Sequence, residues 1–172
     1  MSISLYDISV CNYLQVLTSV TGILKKGEAF CDEQNLELHD LNEARVHPDM
    51  LPLRFQLYSV VHHSQGALEG IRQGEFNPPP PTDNMSYSDL QQSIENAATE
   101  LQSFSRESID ELYGKAMKFK MNDFELPFTA ENFVLSFSLP NLYFHTTTAY
   151  NILRSKGVPL GKVDYLGRMR VS

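Results

Sequence analysis

One stretch in the last third of the chain decides the fold, residues 139–154 with the sequence LPNLYFHTTTAYNILR. Apolar residues recur in it at three- and four-residue steps, which is typical of an amphipathic helix. One stripe of this helix is nevertheless polar, because Asn141, His145 and Thr148 are at helical spacing, with Ser138 one turn earlier. A histidine in such a stripe is either a satisfied core residue or the centre of a functional site, and the function prediction depends on that choice.

The same kind of periodicity predicts three more helices outside this stretch. Apolar residues over 4–26 predict the first helix, which we expect to end at Gly27. The second helix is predicted over 53–71, with Asp49 as its N-cap. A proline-rich connector over 77–83 follows, and we expect it to be stiff and extended.

The third helix and a short β-structure are predicted between the connector and the last helix. The third helix begins near Ser88, because Ser88 and Gln91 have the spacing of a capping box. Alternation over 118–128, with a turn-like Asn-Asp pair in the middle, predicts a small β-hairpin. Thr129 then caps the last helix, and Pro140 is expected to kink it. The sum is an all-α four-helix bundle with a hairpin insert.

The overall composition limits the class of protein. The 172 residues carry a net charge of −7, with 42% hydrophobic and 20% charged residues. This composition is typical of one soluble globular domain, here residues 1–172, and the acidic balance argues against a nucleic-acid partner. No apolar run approaches the roughly 20 residues of a membrane span, and the amino terminus does not resemble a signal peptide. We therefore expect a cytoplasmic protein without a membrane partner.

Several motifs carry a resemblance to a known family. They are Arg45-x-x-Pro48-Asp49-Met50-x-Pro52-Leu53, Leu126-Pro127-Phe128, Leu139-Pro140-Asn141-x-Tyr143-Phe144-His145-x-Thr147-Thr148-Ala149-Tyr150 and Leu153-Arg154-x-x-Gly157-Val158-x-Leu160-Gly161. The chain resembles a family of small proteins of unknown function, found in bacteria and fungi, in the DinB/YfiT-like four-helix superfamily. The resemblance covers almost the whole chain and implies a DinB-like up-down-down-up four-helix bundle, with the hairpin inserted before the last helix.

The resemblance also bears on metal binding. Proteins of the wider superfamily often hold a divalent metal through three histidines, one from the second helix and two, spaced four apart, from the last. Here His62 or His63 stands at the second-helix place and His145 at a last-helix place, but Asn141 and Ala149 stand four residues on either side of His145. Because a catalytic metal needs about three protein ligands, we expect no metal site and no cofactor.

The candidate catalytic residues are therefore His145 and His62, since histidine takes and gives protons near neutral pH. Their stripes are expected to face each other across the bundle. His63 falls on a polar, small-residue face with Gln56 and Ser59 and is expected at the surface or at a helix contact, although the sequence leaves open which of His62 and His63 faces the pocket. The candidate ligand-binding residues are Tyr58 and Gln65 on one stripe, Asn141 and Thr148 on the other, and Tyr143.

These residues favour a metal-independent protein that binds a small apolar or aromatic organic molecule in a pocket between helices two and four. Acid–base chemistry there would be of the isomerase, dehydratase or cyclase type, and a role in fungal secondary metabolism would suit that description. Two alternatives stay open. One is a degenerate metal-dependent hydrolase or transferase of the superfamily. The other is a non-enzymatic structural or interaction protein that forms a homodimer through a helix face and the apolar tail.

Overall fold

The computed structural model describes residues 4–81 and 85–171, so the connector predicted over 77–83 lies partly outside the described residues. The described chain is mostly helical, with one small three-stranded sheet. The α-helices are α1 (Leu5–Ile8), α2 (Val10–Gln34), α3 (Leu38–Asn42), α4 (Leu53–His62), α5 (Gln65–Gln73), α6 (Tyr87–Ser103), α7 (Arg106–Asp110), α8 (Ala130–Phe133), α9 (Leu139–Ser155) and α10 (Lys162–Leu166). The strands are β1 (Glu75–Phe76), β2 (Ala116–Met121) and β3 (Phe124–Thr129), and a π-helical segment, Val134–Ser138, joins α8 to α9.

Helix α2 is longer than predicted. It continues through Gly27 to Gln34, and it ends where Asn35 adopts a left-handed conformation with φ of 54°. Gly27 is therefore a packing residue and not a helix end, because a β-carbon there would collide with the phenol oxygen of Tyr87. That phenol crosses from α6 and donates a hydrogen bond of 2.9 Å to the carbonyl of Leu24.

The predicted second helix is two helices with a break between them. Helix α4 ends at His62, and α5 begins at Gln65 after Ser64, whose ψ of −84° departs from helical geometry. The predicted N-cap is also wrong. Pro52 holds the N-cap position of α4, and Asp49 instead pairs with His47 in the preceding loop.

Helix α6 begins near the predicted residue but with a different cap. The hydroxyl of Ser86 accepts a hydrogen bond of 3.1 Å from the backbone N–H of Asp89. The Asp89 carboxylate in turn accepts one of 2.9 Å from the backbone N–H of Ser86. The capping box predicted at Ser88 and Gln91 is thus wrong by two residues, because serine occurs at both positions and only the first one closes the box.

The predicted hairpin is confirmed, and it carries a third strand that the sequence did not predict. Strands β2 and β3 pair antiparallel, with Phe119 opposite Leu126, while β1 pairs with β2 in parallel. Strand β1 follows directly from α5 and packs back on it. A β-carbon on Gly70 would lie 2.9 Å from the ring of Phe76, so glycine is required at that point of α5 for the strand to approach.

The last helix is interrupted where Pro140 was predicted to kink it. The turn before Pro140 widens to the π-helical segment, in which Leu139 donates to the carbonyl of Val134. Proline has no N–H, and its ring collides with the carbonyl four residues earlier, so a wider turn relieves that contact. Thr129 stands at the N-cap position of α8, as predicted, but its side chain makes no capping hydrogen bond.

The long helices enclose the apolar core. Helix α2 packs on α6 and α9, and α4 packs on α6 and α9. Helix α10 crosses α2, where Gln15 and Ser19 donate to the backbone carbonyls of Leu166 and Asp164 at 2.9 and 2.8 Å, so the predicted extended tail contains a short helix. Among the residues that the structure describes, no helix combines the length and the apolar character of a membrane span.

Candidate functional site

Three histidines converge where α4 ends beside α9. The imidazole rings of His63 and His145 stack, with centroids 5.6 Å apart and planes 13° apart. The ring of His62 meets the ring of His63 edge-on at 5.4 Å. We call His62, His63 and His145 the histidine cluster. It brings together both predicted catalytic residues, but His63 lies between them.

His63 lies at a helix contact, one of the two places expected for it from the sequence. It is only 6% exposed, and it shares a buried face of α4 with Gln56 and Ser59. The surface was the other expectation for this polar face, but α9 packs directly on it. The polar groups are accommodated because some of them bond to the facing helix, and no signal in the sequence identifies those partners.

Aromatic side chains surround the histidine cluster. Phe76 lies 4.4 Å from the ring of His62 and 5.5 Å from that of His63, measured between centroids. Phe137, from the π-helical segment, lies 5.9 Å from His63. On the other side, Phe55 and Phe144 meet the ring of His145 at 5.9 and 5.2 Å, both edge-on. The imidazoles therefore lie in a largely apolar environment.

This environment keeps the imidazoles neutral. Burial lowers the pKa of His63 to about 3, and the neighbouring His62 and His145 add to the effect. Burial also lowers the pKa of His145 to about 4. For His62, burial lowers the pKa, and the hydrogen bond to the carbonyl of Asn77 opposes that shift. Near neutral pH, His63 and His145 are uncharged and each keeps an unprotonated ring nitrogen.

Hydrogen bonds orient two of the three rings. Nδ1 of His145 lies 2.8 Å from Oε1 of Gln56, and the amide nitrogen of Gln56 donates to the carbonyl of Leu51 at 2.9 Å. Nε2 of His62 lies 2.8 Å from the carbonyl oxygen of Asn77, just after β1. The partners of both rings are neutral groups.

A buried chain of hydroxyls fixes the backbone beneath His63. Ser138, the last residue of the π-helical segment, donates a hydrogen bond of 2.7 Å to the carbonyl of His63. The Tyr13 phenol, 2.7 Å from the Ser138 oxygen, then donates to it from α2. Burial raises the pKa of Tyr13, so this phenol stays protonated. The chain ties α2, the π-helical segment and the end of α4 to one another.

Two buried polar atoms of the α4 face have no hydrogen-bond partner among the described residues. They are Nδ1 of His63 and the hydroxyl oxygen of Ser59, one helical turn apart. An unpaired buried polar atom costs about 1–3 kcal/mol, and native structures contain few of them. Oδ1 of Asn42 and Oγ1 of Thr129, outside the histidine cluster, share this property.

The predicted ligand-binding residues divide into two groups. Tyr58 stacks on His62 at 6.3 Å and belongs with the histidine cluster. Asn141 and Thr148 flank His145 on α9, but their side chains donate to carbonyls of their own helix, those of Phe137 and Phe144, at 2.8 and 2.7 Å. A hydrogen bond from a short polar side chain to a carbonyl of its own helix is common.

The other two predicted ligand-binding residues lie apart from the histidine cluster. Gln65 stands at the start of α5 and hydrogen-bonds to Glu100 of α6. Tyr143 is exposed and lines a cavity of about 200 Å³ under the carboxyl-terminal tail, beside Gln15 and Tyr165. The break before α5 separates Gln65 from the stripe of His62. Tyr143 is separated because residues two apart in a helix point to nearly opposite sides, so helical spacing alone places it away from His145.

The residues present do not fit the metal site of the wider superfamily. Over residues 4–81 and 85–171, no group of three or more His, Cys, Asp or Glu side chains is placed to hold one ion. The positions four residues from His145 are Asn141 and Ala149, and neither supplies a metal-binding imidazole. Nδ1 of His145 is also engaged with Gln56.

Comparison with known proteins gives the family. The family model described as "Domain of unknown function (DUF1993)" matches residues 5–166. The chain belongs to the DUF1993 family. The resemblance to a DinB-like family of unknown function is thereby confirmed.

A solved structure supports the fold of this DUF1993 chain. The crystal structure of a DinB family member from Shewanella denitrificans is 28% identical, with a TM-score of 0.81, and the match covers 98% of this chain and 94% of that one. The search of curated proteins gives no match. The comparisons establish a DinB-like fold, and the chemistry must be argued from the site itself.

Proposed function

We propose that this DUF1993 protein binds a small, mostly apolar or aromatic organic molecule at the histidine cluster, between α4 and α9, and transfers a proton on it without a metal or cofactor. The observation that carries the proposal is the stack of two neutral imidazoles, His63 on His145, beside an unpaired ring nitrogen in an aromatic environment. His145 and His62 are the proposed catalytic residues.

The lowered pKa values indicate the kind of chemistry. An imidazole whose pKa is about 4 stays unprotonated at neutral pH, so its lone pair can accept a proton, and it is a weaker base than an ordinary histidine. Once protonated it is a strong acid, and it returns the proton readily. Reactions in which the proton leaves one atom of the ligand and returns to another meet both conditions. They include isomerisation, dehydration and cyclisation.

The arrangement of the helices supports the predicted architecture. The contacts of α2 with α6 and α9, and of α4 with α6 and α9, support the proposal of an up-down-down-up four-helix bundle in one domain. Cavities at bundle interiors are common places for ligands. The cytoplasmic location, the homodimer and the role in fungal secondary metabolism stay predictions from the sequence.

Proton transfer can be tested with acetophenone, a small apolar aromatic ketone whose methyl protons exchange with solvent when a base removes them. In D₂O, we expect wild-type protein to accelerate this exchange and His145→Gln to lose the acceleration. His47→Gln is the matched control, because His47 lies in an exposed loop. Equal exchange rates for wild type and His145→Gln, at unchanged melting temperature, would contradict the proposal.

A further inference from the structure

The side-chain amide of Gln56 is held from both ends. Its nitrogen donates to the carbonyl oxygen of Leu51 at 2.9 Å, and its oxygen lies 2.8 Å from Nδ1 of His145. A carbonyl oxygen only accepts hydrogen bonds, so the amide nitrogen must face Leu51 and the amide oxygen must face the imidazole. Gln56 is 3% exposed, and solvent therefore does not compete for either bond.

This orientation decides which nitrogen of His145 carries the proton. The amide oxygen of Gln56 is an acceptor, so Nδ1 of the neutral imidazole must donate. Nε2 then carries the lone pair. The hydrogen bond thus selects the Nδ1–H tautomer, whereas free histidine in water favours the Nε2–H form.

The lone pair on Nε2 has no partner among the described residues. Nε2 is not one of the fully buried unpaired atoms, and the ring of His145 is half-buried. Phe55 and Phe144 both meet the ring edge-on, and Phe144 is 56% exposed. A ligand that approaches Nε2 therefore meets aromatic surface together with one hydrogen-bond acceptor.

The charges around the histidine cluster restrict the ligand further. Throughout residues 4–81 and 85–171, no Lys or Arg side chain is hydrogen-bonded to the three imidazoles or stacked on them. An anionic ligand would lose its hydration on binding and would gain no Lys or Arg partner among the described residues. Such desolvation of an unpaired charge costs free energy. Within the described part of the chain, the hydrogen-bond partners of these rings likewise include no carboxylate to pair with a cationic ligand. The surroundings favour a neutral ligand that donates one hydrogen bond.

We propose that Gln56 is the positioning residue that holds His145 as the Nδ1–H tautomer, and that Nε2 of His145 accepts a hydrogen bond from the hydroxyl of an uncharged aromatic alcohol of the phenol class. The ligand's ring contacts Phe55 and Phe144. This inference rests on the proposed function of the histidine cluster and names its substrate class.

The tautomer is measurable without any ligand, by long-range ¹H–¹⁵N correlation spectra of the histidine rings near neutral pH. We expect a pyrrole-type Nδ1 and a pyridine-type Nε2 for His145 in wild-type protein. Gln56→Met, which has similar volume but no amide, is expected to shift the ring toward the Nε2–H form. Gln56→Glu is expected to keep the Nδ1–H form and to raise the pKa of His145, since a carboxylate also accepts from Nδ1. A purely structural role of Gln56 predicts neither change.

A matched control is Gln91→Met, because Gln91 donates to Glu28 from the half-buried side of α6, and it should leave the His145 signals unchanged. An Nε2–H form of His145 in wild-type protein overturns the assignment by itself, so the result does not depend on whether a Gln56 variant folds.

The ligand class is tested by titration with phenol, toluene and benzoate. We expect phenol to bind roughly 2- to 10-fold more tightly than toluene, the ratio for one net hydrogen bond, and benzoate to bind most weakly. Phenol should also shift the Nε2 resonance of His145, and His145→Gln should remove its advantage. Equal binding of phenol and toluene, or tighter binding of benzoate, overturns the ligand class.

The experiments distinguish a failure of the proposed binding function from a failure of the role of Gln56. If none of the three probes perturbs the histidine cluster while His145 is in the Nδ1–H form, the proposed binding function is wrong and the role of Gln56 stands. If the probes bind at the histidine cluster while His145 is in the Nε2–H form, the binding function stands and the role of Gln56 is wrong.

Discussion

The imidazoles of His63 and His145 lie face to face, 5.6 Å apart, at the contact of α4 with α9. Burial lowers the pKa of both rings, and the neighbouring His145 lowers that of His63 further, because a second positive charge in the same apolar space would be repelled as well as desolvated. Protonation of either ring in the folded protein is therefore unfavourable. This condition makes the stability of the protein depend on pH.

We expect acid destabilisation that begins near the ordinary histidine pKa. Both rings have a folded-state pKa below the unfolded value of about 6.5, so the unfolded chain binds protons first as the pH falls. Stability is unaffected above about pH 6.5, falls below it, and levels off for each ring below its folded pKa. At about pH 5 the loss is on the order of 2 kcal/mol for each of the two histidines.

Urea unfolding at about pH 7.5 and at about pH 5 measures this dependence. His63→Gln and His145→Gln should each reduce the loss between the two conditions, and the exposed His47→Gln should not. If wild type and the double variant His63→Gln/His145→Gln lose the same free energy of unfolding between the two pH values, the stacked rings are not the source of the pH dependence.

Ser138→Ala should destabilise the protein by about 1–3 kcal/mol. The change removes the hydroxyl between Tyr13 and the carbonyl of His63, and both groups are then buried without a partner. Ser136→Ala is the matched control, since Ser136 is an exposed serine of the same π-helical segment whose hydroxyl bonds to Asn132. Denaturant unfolding compares the two variants, and equal small effects would contradict the role of the hydroxyl chain.

Glycine-to-alanine changes at two positions of α2 should change the free energy of unfolding in opposite directions. Gly22→Ala should stabilise by roughly 0.5–1 kcal/mol, because no atom lies within 4 Å of the added methyl group and alanine favours helix. Gly27→Ala should destabilise by roughly 1–3 kcal/mol, because its methyl group displaces the Tyr87 phenol and its bond to Leu24. Thermal unfolding gives both signs, and a stabilising Gly27→Ala would refute the packing explanation of this glycine.

Purified protein should carry no stoichiometric transition metal. The reason is the donor set: Asn141 and Ala149 replace the second histidine of α9, and the described residues offer no group of three ligands. Elemental analysis of protein made without an affinity tag is the measurement. About one equivalent of zinc, nickel or iron that disappears in His145→Gln would overturn this prediction.

The protein is expected to form a homodimer. Apolar side chains remain on the surface of the last helical stretch, with Leu135 52% and Phe144 56% exposed, and burial of such groups favours pairing. Light scattering at micromolar concentration should give twice the mass of 19.5 kDa. A monomer mass at micromolar concentration would contradict the prediction. If the dimer forms, Leu135→Ser is expected to weaken it.

Periodicity was sufficient to predict the long helices and the hairpin, because both patterns report burial on one face. It could not predict where the helices break. The change of direction at Ser64 separates Gln65 from the stripe of Tyr58 and His62, although all three have helical spacing in the sequence. Such breaks arise from tertiary packing, as Gly70 shows where β1 approaches α5.

The candidate site was half predicted for a related reason. His62 and His145 were identified from their stripes, but His63 was assigned to a solvent-facing or helix-contact surface because its neighbours on the face, Gln56 and Ser59, are polar. A polar face is compatible with burial when the opposing helix supplies partners, as His145 does for Gln56. Which polar face receives such partners depends on the contact between α4 and α9.

The π-helical segment sets the angular position of everything that follows it. One wide turn takes up about one residue more than an α-helical turn, and one residue corresponds to roughly 100° of rotation about the helix axis. Removing a residue from Val134–Ser138 would therefore restore a regular helix and turn His145 away from His63 and Gln56, while leaving the composition of α9 intact. In this protein, a single-residue deletion in that segment should abolish the histidine cluster more completely than most substitutions within it.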